Sequence, residues 1–230
     1  MFVSIVFALA LLAQSAVAFQ PIPAVSIQSR AASGLLSKKS EDDEVPQVQA
    51  LAVGTFVEFE EKKRVHAGKI QEAQHNLKGA RYVVVDSDGH QFSIADKEVH
   101  FAIHPPTAPK QADQLFNQFV VALHASPEEL EKELQINAEL LELAWEEALE
   151  SETDSLTPGK LVELVHSHAA SKLEKYKAWR LLQSDLSHVF FKDIKDHGRI
   201  KSFKAKARKA VDAAKQHFCN THDDSDLCLV

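Results

Sequence analysis

The chain has 230 residues, a formal net charge of −7 at pH 7 and 45% hydrophobic residues, with a sequence pI of about 5.9. These are the values of an ordinary soluble globular protein, so they exclude classes defined by an extreme composition but identify no function. Function must therefore be inferred from local segments, taken from the N-terminus onwards.

Residues 1–18 predict a cleaved signal peptide. An apolar run of about ten residues is too short to span a bilayer comfortably. It is followed by the small residues Ala16 and Ala18, which suit a signal-peptidase site. Cleavage after Ala18 would make Phe19 the new N-terminus.

Residues 19–48 predict a transit peptide followed by an acidic linker. The stretch AVSIQSRAASGLLSKKS has three basic residues, five serines and no acid, which is transit-peptide composition. Together with the signal peptide it resembles the bipartite plastid-targeting leader of algae with secondary plastids, in which a phenylalanine directly after the cleavage site gates import. Phe19 occupies that position. The resemblance implies a plastid protein with no stable membrane association after cleavage; a secreted protein is the alternative.

Residues 49–106 predict a small β-domain. Apolar residues alternate with polar ones through several short segments, which is the period of strands with one buried face. Asp88-Gly89 supplies a tight turn between two of them. Five such strands in about 55 residues predict an SH3-like β-barrel. The apolar positions are Val57, Phe59, Val83, Val85, Phe92, Ile94, Val99, Phe101 and Ile103.

Residues 112–218, after a proline-rich hinge at 107–111, predict helices that end in a hairpin. Ser126 and Thr157 each precede a proline at a predicted helix start. A fifth helix, SKLEKYKAWRLLQSDL, is apolar nearly all round, so Trp179 is interpreted as a core residue. Strand-like segments HVFFKD and RIKSF follow, which completes the pattern of a winged helix and an α+β fold. In the tail, 219–230, Cys219 and Cys228 are interpreted as ordinary thiols in a disordered segment.

The order of these parts resembles the N-terminal region of plastid and cyanobacterial ribonuclease II-type exoribonucleases, the RNB family. The most specific segment is YKAWRLLQSDLSHVFFK, in which Tyr176 and Trp179 precede a strand containing Phe190 and Phe191. The resemblance covers about residues 50–218. It implies a barrel and a winged helix that handle RNA ahead of a 3′-to-5′ hydrolytic domain.

The hydrolytic domain of that family, whose aspartates hold Mg²⁺, is not recognised in this chain. No catalytic residue, cofactor or metal site is therefore assigned. His166 and His168 would point about 200° apart on a helix and could not share an ion. The chain can be interpreted either as a truncated gene model or as a complete accessory protein. Nothing in the sequence indicates an oligomer.

Charge predicts a nucleic-acid surface in the second half of the chain. Residues 126–154 carry eleven acids against one lysine, whereas residues 156–218 carry fourteen lysines or arginines against six acids. Weak, non-specific binding of single-stranded RNA is expected, with Phe203 as one possible stacking ring beside the charges. A non-enzymatic winged helix that docks DNA or protein is the alternative. The RNA-binding candidates are Lys192, Lys195, Arg199, Lys201, Phe203, Lys204, Lys206, Arg208 and Lys209.

Overall fold

The computed structural model describes residues 50–76, 79–151, 155–196, 198–221 and 226–228. Pro46–Val230 forms one compact unit. The predicted signal and transit peptides, with Ala18 and Phe19, lie outside the described residues. Within the described ranges, no helix has the length and apolar character needed to cross a membrane.

The first part of the compact unit is a five-stranded antiparallel sheet with the order β4-β3-β2-β1-β5. A tight turn joins β3 to β4, and Gly89 adopts a φ of +84° there, which glycine tolerates without strain. The predicted period-two positions Val57, Phe59, Ile94, Val99 and Ile103 are buried. In β3 the predicted face is wrong, because Tyr82 and Val84 are buried in the core while Val83 and Val85 are only half-buried. The SH3-like barrel remains a prediction. The strands are β1 (Phe56–Glu61), β2 (Arg64–Asn76), β3 (Gly79–Asp86), β4 (Gln91–Ala95) and β5 (Val99–Ile103).

Helices fill most of the remainder, and side chains cap several of their N-termini. The predicted helix start after Ser126 is present, with Pro127 at the first helical position, and Ser126 and Glu129 form a capping box. Thr157 caps its helix by accepting from the Lys160 N–H. The helices are α1 (Pro109–His124), α2 (Pro127–Leu134), α3 (Ala138–Glu150), α4 (Pro158–His166), α5 (Lys172–Leu181), α6 (Asp185–Phe190) and α7 (Arg208–Thr221).

A second, three-stranded sheet completes the winged helix and confirms the predicted α+β class. Its strands are β6 (Ser155–Leu156), β7 (Phe191–Asp196) and β8 (Arg199–Ala205), in the order β6-β8-β7. The prediction of a strand across HVFFKD is only partly right, because Ser184 caps a short helix that runs to Phe190. The strand begins at Phe191.

The prediction of free thiols is wrong. Cys219 lies in the last turn of α7 and forms a disulfide with Cys228, nine residues further along the chain. Cys228 belongs to a 3₁₀ turn, Asp226–Cys228. Sequence spacing alone could not show that a helix end and a turn bring these two side chains together.

Aromatic side chains join the five-stranded sheet to the helical part. Phe101 of β5 packs on Tyr176 and Trp179 of α5, with ring centroids 5.2 and 5.0 Å apart. Phe119 of α1 lies 4.5 Å from the Tyr176 ring. Trp179 is 4% exposed, so its interpretation as a core residue is confirmed. The sheet and the winged helix therefore share a core.

Candidate nucleic-acid interface

The wing, defined here as β7, β8 and the turn between them, has one buried face and one solvent face. Directly opposite residues in an antiparallel pair point to the same face. Phe191 lies opposite Ala205, and Leu156 lies opposite Phe203. All four side chains are buried in the main core. The other face of the wing is left for solvent.

Lysines line the solvent face. Lys192 lies directly opposite Lys204, and Lys204 lies opposite Ser155 of β6. Two like charges in direct cross-strand register destabilise a strand pair unless an anion or an acidic side chain compensates. The row Ser155, Lys204 and Lys192 therefore combines a hydroxyl donor with two ammonium groups on one face.

The tip of the wing adds two further exposed cations. Lys195 is exposed, and the side chain of Lys201 is 72% exposed, with its Nζ 4.0 Å from Asp196 Oδ2. The ladder is irregular at this point: Ile194 pairs with Ser202 but Lys195 pairs with Ile200. Lys201 is consequently the extra residue of a bulge, and it interrupts the regular alternation of side chains along β8.

Phe203 does not serve as a stacking ring. Its side chain is 0% exposed, because the bulge at Lys201 shifts the alternation of β8 and Phe203 lies on the face that packs into the core. The predicted alternation of Arg199, Lys201 and Phe203 on one face is therefore wrong. Both phenylalanines of the wing are buried, so the described wing residues offer phosphate contacts and no exposed aromatic platform.

Arg199 is engaged within the molecule. One guanidinium nitrogen lies 2.6 Å from both the backbone oxygen and the Oδ1 of Asp96, in the 3₁₀ turn Asp96–Glu98 between β4 and β5. Asp96 Oδ1 also accepts a 2.7 Å hydrogen bond from the Tyr82 hydroxyl. Arg199 thus fixes the wing to the five-stranded sheet, and its predicted role as a phosphate ligand is not supported by this geometry.

The remaining candidates follow the wing. The Lys206 ammonium donates to the backbone oxygen of His188, and partial burial lowers the pKa of Lys206. The Arg208 guanidinium lies 3.6 Å from Glu146 and stacks over Trp145. Lys209 is exposed. Of the nine candidates, the exposed lysines of the wing and Lys209 are the ones best placed to meet an external anion.

A buried polar contact that the sequence did not reveal joins the sheet to α5. The Tyr176 hydroxyl donates a 2.6 Å hydrogen bond to Glu58 Oε2. Tyr176 is 0% exposed and Glu58 only 4%. Burial first, and then the adjacent Glu58 carboxylate, raise the pKa of Tyr176 far above its usual value, although Arg180 acts in the opposite direction. The hydroxyl is therefore a permanent donor to this carboxylate at any physiological pH.

One group of possible metal ligands occurs in the described ranges, at the β3–β4 turn. It comprises Asp86, Asp88 and His90. Asp86 Oδ1 already accepts from the backbone N–H groups of Asp88 and His90. Burial opposes ionisation of Asp86, but the hydrogen bonds from His90 and Asp88 outweigh it and lower the pKa of the carboxyl. This carboxylate acts as the cap of a turn. The acidic segment DDSD of the tail, residues 223–226, lies outside the described residues except for the backbone of Asp226.

The helices and the hairpin define a winged helix domain, and comparison with known proteins identifies its type. Residues 128–210 match the family model of the winged helix domain of ribonuclease II. These residues are therefore similar to the winged helix domain of ribonuclease II, in agreement with the sequence resemblance. The plastid origin within that resemblance stays a prediction.

Among solved structures, the chain is similar to an active-site mutant of the Dss1 exoribonuclease from Candida glabrata. The identity is 14% and the TM-score 0.43, and the match covers 78% of this chain but 27% of that chain. This chain thus spans little more than a quarter of the length of that exoribonuclease. No curated protein matches the chain.

Proposed function

We propose that this chain is the RNA-binding part of a ribonuclease II-like exoribonuclease and acts in RNA processing or degradation. The match of residues 128–210 to the ribonuclease II winged helix supports the link to RNA. The observations that carry the proposal are the solvent face of the wing, where Lys192 and Lys204 lie in direct register, and the exposed lysines Lys195 and Lys201 at its tip.

Binding at this surface is expected to be weak and independent of base sequence. Lysines that contact phosphates position a nucleic acid but do not read its bases. Aromatic stacking, which contributes about 1–3 kcal/mol per base where it occurs, is not available on the described wing because Phe191 and Phe203 are buried. The wing should therefore hold the backbone of a single strand and tolerate any sequence.

The salt dependence of RNA binding tests this mechanism. Each phosphate contact on a single strand contributes about −0.7 to the slope of log affinity against log salt. Replacing Lys192, Lys195 and Lys201 with alanine should weaken binding to all sequences about equally and flatten that slope by about two units. Fluorescence anisotropy of labelled oligouridine with Pro46–Val230, the compact unit, measures both quantities.

A matched control removes three lysines elsewhere. Lys110 of α1 and Lys132 of α2 are exposed, and Lys62 has a φ of +51°, so Lys62→Gly removes a charge without adding strain. The control Lys62→Gly/Lys110→Ala/Lys132→Ala should leave the slope nearly unchanged. Equal effects of the two triple variants, or a wing variant that binds like the unmodified protein, would reject the wing as the RNA surface and favour protein docking.

We also propose that the protein acts in a plastid. The proposal depends on the segment around Ala18 and Phe19. Residues 1–45 fused to a fluorescent protein should direct it into the plastid of an alga with secondary plastids, and Phe19→Ala should block that import. Retention of the unmodified fusion in the secretory pathway would contradict the proposal and support the secreted alternative.

A further inference from the structure

The disulfide between Cys219 and Cys228 joins the end of α7 to a separate short turn. Cys219 lies in the last turn of α7, and Cys228 lies in the 3₁₀ turn Asp226–Cys228. Both residues are half-buried, so the bond is not enclosed in the core. Exchange with an external thiolate requires access to one of the two sulfur atoms. The position of this disulfide therefore permits exchange.

Helix α7 has attachments that do not involve this bond. Val211 is 1% exposed and belongs to the main core. The Lys215 ammonium lies 2.6 Å from a carboxylate oxygen of Glu142 in α3 and 5.6 Å from the centre of the Phe190 ring. These contacts lie at least four residues before Cys219. Opening the disulfide should therefore leave most of α7 in place.

The turn Asp226–Cys228 depends on the bond much more. It contacts α3 and α7, and Leu227 is half-buried against the main core. Partial burial of one leucine contributes less free energy than the backbone entropy lost on ordering three residues costs. The disulfide removes much of that cost, because it keeps the turn beside α7. The turn should therefore stay docked in the oxidised protein and detach in the reduced one.

We propose that Cys219–Cys228 is a site of reversible thiol–disulfide exchange with a protein dithiol of the thioredoxin class, and that reduction releases the turn Asp226–Cys228 from α3 and α7. A thiolate of the dithiol attacks one sulfur, the Sγ–Sγ bond breaks, and a mixed disulfide forms. The second thiol of the dithiol then resolves the mixed disulfide. Two electrons and the two protons of the dithiol end on Cys219 and Cys228, and the reductant leaves as a disulfide. No wing lysine takes part, so the exchange is independent of RNA binding.

The position of the exchange equilibrium tests the site. Oxidised Pro46–Val230 is incubated with equimolar reduced and oxidised thioredoxin, free thiols are alkylated, and the mass of the intact protein is measured. At least about one-tenth of the protein should be reduced, because a disulfide that is more than about tenfold harder to reduce than that of thioredoxin belongs to the structural type. A smaller reduced fraction at equilibrium would overturn the proposal.

Hydrogen exchange tests the release of the turn. In the reduced protein the amides of Asp226–Cys228 and of the last turn of α7 should exchange at least about tenfold faster, whereas those of Arg208–Lys215 should change less than about twofold. Unchanged exchange at the turn would contradict its release. Equal acceleration along the whole of α7 would show that the bond holds the entire helix, which would contradict a local switch.

A variant that keeps both cysteines links the two parts of the proposal. Leu227 stabilises only the docked, oxidised state, so Leu227→Ala should shift the exchange equilibrium toward the reduced protein by about threefold to tenfold. Leu143→Ala is the matched control, because Leu143 of α3 is 60% exposed, and it should leave the equilibrium unchanged. No shift in Leu227→Ala, or an equal shift in the control, would show that the turn does not detach on reduction and would overturn the proposal.

Discussion

Removing the Tyr176 hydroxyl should destabilise the fold far more than the loss of one oxygen atom suggests. Tyr176→Phe keeps the ring contacts with Phe101 and Phe119 but deletes the 2.6 Å donor to Glu58. Glu58 is 4% exposed, so solvent does not replace the donor, and His100 Nδ1 at 3.7 Å is outside hydrogen-bond distance. A hydrogen bond to a buried charged group contributes about 1.5–3 kcal/mol.

We therefore expect Tyr176→Phe to lower the free energy of unfolding by about 2–3 kcal/mol. For a unit of this size the midpoint temperature should fall by about 4–12 °C. Urea unfolding of Pro46–Val230, followed by circular dichroism, measures the free energy directly. Tyr82→Phe is the control at a more exposed contact: its hydroxyl donates to Asp96, which is 24% exposed and also bound by Arg199, and accepts from the Leu51 N–H. It should cost only about 1 kcal/mol.

A double-mutant cycle isolates the contact. If Tyr176 and Glu58 are coupled through this hydrogen bond, Tyr176→Phe should cost clearly less in a Glu58→Gln background, with a coupling energy of about 1 kcal/mol or more. Additive effects, or a loss below about 0.5 kcal/mol for Tyr176→Phe alone, would refute the claim that this pair joins the sheet to α5.

Four further outcomes are expected. The pKa of Tyr176 is raised on folding, so its contribution to stability is full below pH 10 and is lost above it, by up to about 1.4 kcal/mol per pH unit. Above pH 10 the free energy of unfolding should therefore fall less steeply with pH in Tyr176→Phe than in the unmodified protein. Arg199→Ala should cost about 1 kcal/mol, since its ion pair with Asp96 is partly exposed, and should change the RNA salt slope by less than any wing lysine does. Cys219→Ser should lower stability by about 2–3 kcal/mol and speed hydrogen exchange at the end of α7, whereas unchanged exchange would contradict the disulfide. Pro46–Val230 with Mg²⁺ should leave 3′-labelled RNA intact, and shortening that survives a contaminant control would contradict this.

Local rules predicted the elements well because the responsible interactions are local. The Ser126 capping box and the Thr157 cap each act within three residues of their own helix start. Val57 and Phe59 lie on one buried face through the pleat of their strand, but Phe56 and Glu58 on the other face are buried too, because α1 and α5 pack against them. Trp179 was correctly placed in the core because its helix is apolar nearly all round.

Contacts between distant parts of the chain could not be predicted in the same way. Glu58 lies among other acids in the segment EFEEKK and has no local feature that marks it as buried, and its partner Tyr176 is 118 residues away. Arg199 looked like another wing cation, but Asp96, 103 residues earlier, binds it. A sequence pattern predicts which residues share one face of a strand, but it does not predict which distant element packs against that face.

Local irregularities caused the remaining errors. One extra residue at Lys201 breaks the alternation that had placed Phe203 beside the exposed cations. One left-handed residue, Ser167, ends α4 and brings two histidine rings together. Neither residue type demands such a conformation, since a positive φ is uncommon for a residue other than glycine and a bulge requires no particular side chain at Lys201. These positions depend on the packing around them.

The central claim, that the wing is the surface that holds RNA, is tested most directly by NMR of ¹⁵N-labelled Pro46–Val230 titrated with single-stranded oligouridine. We predict saturable shifts concentrated in the backbone amides of β7 and β8, including Lys192, Lys195 and Lys201, that are reversed by added salt. Shifts on the acidic helix α3 instead, or a wing whose amides do not respond at saturating RNA, would contradict it.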